Sequence, residues 1–106
     1  MITEGEFNRI ADATLERISQ ALEESLADCD CELKDGGVLE IELADGGRII
    51  VNRHFAAREI WVAAKSGGFH FGWDGTRWIN TRDGSELFAS LSRLASEGSG
   101  RPVILR

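Results

Sequence analysis

The sequence predicts an α+β fold: a two-layer α-β sandwich with N- and C-terminal helices packed on one face of an antiparallel sheet of about six strands. Three observations predict it. An amphipathic repeat of helical period opens the 106-residue chain and a second one closes it. Between them lie short runs with strand-like alternation, separated by glycine turns. The turns are tight, and tight turns pair consecutive strands antiparallel, leaving one face for the helices and one for water.

The first helix is marked by Phe7, Ile10, Ala11, Thr14, Ile18, Ala21, Leu22 and Ser25, which recur at i, i+3, i+4, i+7. Thr3 is its N-cap, with Glu6 three residues on completing a capping box. Glu4 and Glu6 also suit the positive end of the helix dipole. The helix is expected to end near Leu26 or Ala27.

Strands follow at Cys29–Lys34, Val38–Leu43, Arg48–Arg53, Glu59–Ala64, Phe69–Trp73 and Arg77–Asn80. Their boundaries are Asp35-Gly36-Gly37, Asp45-Gly46-Gly47, Ser66-Gly67-Gly68 and Asp74-Gly75, which supply the positive φ of hairpin turns. Leu39, Ile41 and Leu43 point one way, and Glu40 and Glu42 the other. Ile60, Val62 and Ala64 share a face opposite Glu59, Trp61 and Ala63. Ile49, Ile50 and Val51 are contiguous and leave their strand's facing open. A second helix is predicted from about Ser85 to Glu97, capped by Asp83 or Ser85 and closed by Gly98. Leu87, Phe88, Leu91, Leu94 and Ala95 form its apolar stripe. Val103, Ile104 and Leu105 are too apolar for a free end, so the tail is expected to pack between the helices. Residues 1–106 read as a single domain.

Charge narrows the function. Thirteen of the eighteen Asp and Glu, but three of the twelve Lys and Arg, fall between Met1 and Gly46. Such an end attracts cations or a basic protein and repels nucleic acid and anionic membrane. No apolar run approaches the ~20 residues of a membrane span, and the acidic N-terminus resembles neither a signal peptide nor a presequence. The cytoplasm is the expected location. Cys29 and Cys31 are too close for an unstrained disulfide and read as half-buried strand residues. No phosphate loop, nucleophile elbow or HExxH helix is present, so an enzyme is not expected.

Two groups of residues could carry function. Asp12, Glu16, Glu23 and Glu24 share the polar side of the first helix, and Asp28, Asp30 and Glu32 continue the line. In a strand, Asp30 and Glu32 lie opposite Cys29, Cys31 and Leu33. Crowded carboxylates repel unless neutralised, and they suit hard cations such as Fe³⁺, Mg²⁺, Ca²⁺ or Mn²⁺. The expected site is shallow and weak. A solvated face that aids solubility is the plain alternative. The second group is Trp61, which alternates onto the exposed face of the sheet with Asn52 beside it. A partner would cover it there, unless the tail or a loop does. His54 and His70 read as surface positions rather than ligands, and Trp73 and Trp78 as packing.

These elements resemble the frataxin family in its bacterial branch. The resemblance rests on Phe7–Asp12 in an acidic helix, on Gly36-Gly37-Val38-Leu39-Glu40-Ile41, on Ile50-Val51-Asn52-Arg53 and on Ile60-Trp61-Val62-Ala63. It continues through Lys65-Ser66-Gly67-Gly68-Phe69-His70-Phe71 and the closing helix. It implies weak binding of Fe²⁺ or Fe³⁺, with other divalent cations as competitors, through Glu16, Glu23, Glu24, Asp28, Asp30 and Glu32. It also implies a non-enzymatic regulator of iron–sulfur cluster assembly that docks on the cysteine desulfurase and scaffold. Asn52, Trp61, Glu23 and Glu24 would form the partner surface. A monomer is expected, with iron-dependent oligomers as the variant state. A pure interaction module with incidental metal binding, or a ferroxidase, are the rival readings. The chain departs from the family at His54 and Ala56, where Gln and Pro are frequent, and at Glu59, where Gln is frequent.

Overall fold

The computed structural model describes residues 2–25 and 29–106. Helix α1 (Glu4–Glu24) is followed by strands β1 (Cys29–Lys34), β2 (Val38–Leu43), β3 (Arg48–His54), β4 (Glu59–Ala64), β5 (Gly67–Trp73) and β6 (Trp78–Asn80). Helix α2 (Leu87–Ser99) comes last. The six strands form one antiparallel meander in chain order, and the two helices lie on one side of it. This is the expected sandwich.

Local chemistry explains the elements. The Thr3 hydroxyl accepts from the Glu6 amide at 3.2 Å and donates to the Glu6 carboxylate at 2.7 Å. That satisfies one of the unpaired donors at the helix start. Phe7, Ala11, Leu15, Ile18, Ala21 and Leu22 are the buried stripe of α1. Leu15 belongs to it although the periodicity reading passed it over. The helix runs to Glu24 with Ser25 as its C-cap, and the expected end at Leu26 or Ala27 lies outside the described residues.

Leu39, Ile41, Leu43, Ile49, Val51, Ile60, Val62 and Phe71 form the sheet's side of the core. Ile50 is the half-buried member of the contiguous trio and turns to the open face. Trp78 is buried, edge-on to Phe7 with centroids 6.0 Å apart. Its indole N–H donates to the Thr14 hydroxyl at 2.9 Å, which ties β6 to α1.

The second helix corrects two expectations. Its N-cap is Glu86, whose carboxylate accepts from the Phe88 and Ala89 amides, rather than Asp83 or Ser85. Asp83 instead closes the preceding turn by accepting from Ser85. The terminating residue is Gly100 at φ 72°, not Gly98. Gly98 is buried inside the helix because a Cβ there would lie 2.2 Å from Leu43 Cδ1. The small residue lets α2 approach β2.

The tail packs as expected, with one exception. The Ser96 and Ser92 hydroxyls accept from the Val103 and Leu105 amides, each at 2.8 Å. Arg17 Nε reaches the Arg106 carbonyl oxygen at 2.9 Å. Val103 and Leu105 are buried, whereas Ile104 is 69% exposed. An extended tail alternates its side chains, so the middle residue of three must face out.

Candidate functional site

Strand β1 is one edge of the sheet, and acidic residues gather on both sides of it. Asp30 and Glu32 pair in register with Glu42 and Glu40, so all four carboxylates stand on the open face. Cys31 points the other way, toward α1, with its thiol 3.7 Å from the Ser19 hydroxyl. Burial pushes the Cys31 thiol up, the Ser19 contact opposes that, and nearby Glu23 adds to it. Glu23 therefore lies over β1 on the helix side. Neither Cys29 nor Cys31 is in a disulfide, and both are half-buried as expected.

Ion pairs divide the carboxylates. Asp12 is held by Arg53 at 2.6 Å, so this member of the helical acidic face is neutralised from within the fold. Glu24 meets Arg17 at 3.0 Å, Glu42 meets Arg48 at 3.6 Å, and Glu40 is paired with Lys34. The Lys34 ammonium, as hydrogen-bond donor, holds the Glu40 carboxyl below its usual range. Glu16, Glu23, Asp30 and Glu32 make no ion pair with any described residue. All four are exposed. Asp28 lies outside the described residues. Among the described residues, no three His, Cys, Asp or Glu side chains are grouped to hold a metal ion. The arrangement is an open edge of exposed carboxylates with no enclosed ligand set among the described residues. A shallow recess of about 440 Å³ runs along it, between Asp30, Glu32, Lys34, Glu40, Glu42 and Arg48.

The open face holds the second group. Asn52, Trp61 and His70 stand in one row across β3, β4 and β5. Trp61 is half-buried there, between two imidazoles. The His54 ring lies 3.6 Å from the indole at 11°, and the His70 ring 4.3 Å from it at 8°. The Trp61 N–H donates to Glu59 at 2.8 Å, and His70 Nδ1 is 3.8 Å from the same carboxylate oxygen. The Ala57 amide donates to His54 Nδ1 at 3.3 Å, which orients that ring from the β3–β4 turn.

Sequence reasoning placed Trp61 and Asn52 as neighbours but missed the stack. His54 is two residues beyond Asn52 and so shares its face, which is the signal that could have found it. That its ring leans back over the indole depends on the turn and is not local information.

Residues 1–101 match the frataxin-like domain family. The iron-sulfur cluster assembly protein CyaY of Dechloromonas aromatica is 57% identical over 103 residues, covering 97% of this chain and 98% of the relative. The CyaY of Janthinobacterium sp. is 53% identical over 109 residues, covering 99% and 97%. Among solved structures, frataxin from Psychromonas ingrahamii superposes with a TM-score of 0.90 at 28% identity, covering 97% of each chain. Trimeric yeast frataxin complexed with ferrous iron gives 0.74 at 28% identity, covering 95% of this chain and 89% of that one. With the family match running through the meander, both helices and the acidic edge, this chain belongs to the frataxin family.

Proposed function

We propose that this chain is a non-catalytic regulator of iron–sulfur cluster assembly that collects iron weakly at its β1 edge and docks on the cysteine desulfurase and scaffold. The observation that carries the reading is the set of exposed, unpaired carboxylates Glu16, Glu23, Asp30 and Glu32 around one sheet edge. Its support from relatives is that CyaY proteins are named for iron–sulfur cluster assembly and that a yeast frataxin has been seen with ferrous iron.

Physically, the edge does two things. It offers hard oxygen ligands without a cage, so Fe²⁺ or Fe³⁺ exchanges readily and other divalent cations compete. It also presents a negative field that accelerates encounter with a basic partner and sets the orientation of docking. Asn52 and Trp61 then supply short-range contact. Bound iron lowers the charge of the edge and thereby tunes docking. The protein acts in the cytoplasm, as a monomer when iron is absent.

A backbone-amide NMR titration tests this, first with Fe²⁺ under anaerobic conditions and then with the desulfurase. Iron is expected to perturb Glu16, Glu23, Glu24, Asp28, Asp30 and Glu32, and the partner to perturb that edge together with Asn52 and Trp61. Iron shifts scattered over the molecule, or a partner footprint confined to the helical side, would overturn the reading.

A further inference from the structure

The tail is seated on α2, and a groove lies further along the same helix. Ser96 and Ser92, one turn apart on α2, hold the backbone of Val103 and Leu105. One turn further along α2 stands Phe88, and on the opposite wall α1 continues from Arg17 to Ala13 and Ile10. Together with the β5–β6 hairpin these residues enclose a groove of about 500 Å³. Trp78 and Thr14 form its floor, and Ile10, Trp73 and Phe88 its walls. That volume lies within the roughly 300–1,000 Å³ of small-molecule sites.

The rim has the opposite sign to the rest of the protein. Arg9, Arg17 and Arg77 line it, in a chain of net charge −6. Arg17 is committed to Glu24 and to the Arg106 carbonyl oxygen. Arg9 and Arg77 are exposed and make no ion pair with a described residue, although Arg9 lies near enough to Glu6, and Arg77 to Asp74, to help hold those carboxyls down. The carboxylate in the lining, Glu86, already accepts from two α2 amides. An apolar floor beneath two guanidinium groups that no direct ion pair occupies fits an apolar body with a single anionic head. A guanidinium binds a carboxylate by charge-assisted hydrogen bonds, whereas a polyanion would be opposed by the net charge of the chain.

We propose that this groove is a binding site for small amphiphilic carboxylates: an unbranched acyl chain lies over Trp78 between α1 and the hairpin, and its carboxylate is held by Arg9 and Arg77. The site is on the helical side of the sheet, away from both the β1 edge and the open face that carries Trp61. It therefore stands or falls independently of the iron reading.

Decanoate below its micelle concentration is the probe, and the three indole N–H signals are built-in reporters. Saturable shifts are expected at Trp73 and Trp78, with Trp61 unmoved. The double variant R9E/R77E should bind decanoate roughly tenfold or more weakly, while its affinity for decanol stays unchanged. Both side chains are exposed, and the amide spectrum itself reports folding. Should the double variant unfold, R9A and R77A taken singly should each weaken decanoate by about threefold. Shifts that do not saturate, shifts at Trp61 as large as those at Trp73 and Trp78, or unaltered affinity in the arginine variants would each overturn the proposal.

Discussion

Replacing Gly98 by alanine should destabilise the protein, although alanine is the better helix former. Inside a helix, alanine is favoured over glycine by about 1 kcal/mol. Here the added Cβ would lie 2.2 Å from Leu43 Cδ1, 2.9 Å from its Cβ and 3.0 Å from its Cγ. Rotating the Leu43 side chain moves Cδ1 but not Cβ, which is fixed to strand β2. The helix must therefore back away. That motion also stretches the 3.1 Å hydrogen bond from the Asp45 amide to the Gly98 carbonyl. Overpacking of this kind costs about 1–3 kcal/mol, and the weakened hydrogen bond about 0.5–1.5 kcal/mol. After the helix-propensity gain, the net loss is about 1–2 kcal/mol. In urea unfolding with a slope near 2 kcal/mol/M, the midpoint should fall by roughly 0.5–1 M with the slope unchanged. Adding Leu43→Ala to Gly98→Ala removes Cδ1 and Cγ and leaves only the Cβ contact, so the double variant should lose less than the sum of the single ones by about 1 kcal/mol. A midpoint equal to or above the parent's, or strict additivity, would refute the close-approach argument.

Trp61→Ala should abolish desulfurase docking in a biosensor assay while lowering stability by only about 1–2 kcal/mol, since it removes two ring stacks from the open face. Combined Glu23→Lys and Asp30→Lys should erase the Fe²⁺-induced amide shifts at the edge. The same pair should raise the melting temperature at low salt, and added NaCl should then stabilise the variant less than the parent, because the repulsion that salt screens is gone. Acid sensitivity has a defined sign. The Thr3 hydroxyl holds the Glu6 carboxyl below its usual range, as Lys34 does for Glu40. Each contribution is complete above the ordinary carboxylate range and is lost as pH falls through and below it, so Thr3→Ala should flatten the acid limb of melting temperature against pH between about pH 6 and pH 3. Burial pushes the Cys31 thiol up, with Glu23 adding to the shift. Cys31 should therefore react with a disulfide reagent more slowly in the folded than in the unfolded protein, and Glu23→Lys should speed the reaction, measured with Cys29 replaced by serine.

Much of this molecule was legible before any coordinate. Glycine pairs and strict alternation predicted the meander, because a hairpin's register follows from its turn and from which face is buried. The neighbour relation between Asn52 and Trp61 came from that register. What escaped was tertiary. Gly98 and Gly100 are equally good terminators by sequence, and only the approach of Leu43 decides that the first stays inside the helix. Glu86 outcompeted Asp83 as a cap because Asp83 was already engaged in the preceding turn. Asp12 looked like a member of the acidic face until Arg53, forty-one residues away, reached across to it. The carboxylates left without an ion pair to a described residue are thus a subset of those that periodicity alone collected.

The ring stack around Trp61 has a consequence for any association on that face. A lone surface indole samples several rotamers and surrenders that freedom when a partner immobilises it, at a cost of about 0.5–1.5 kcal/mol. Here the indole is clamped between His54 and His70, with its N–H anchored on Glu59, before anything arrives. The ordering entropy is settled during folding, and a visiting protein meets a preformed stack of three rings that it has only to fit.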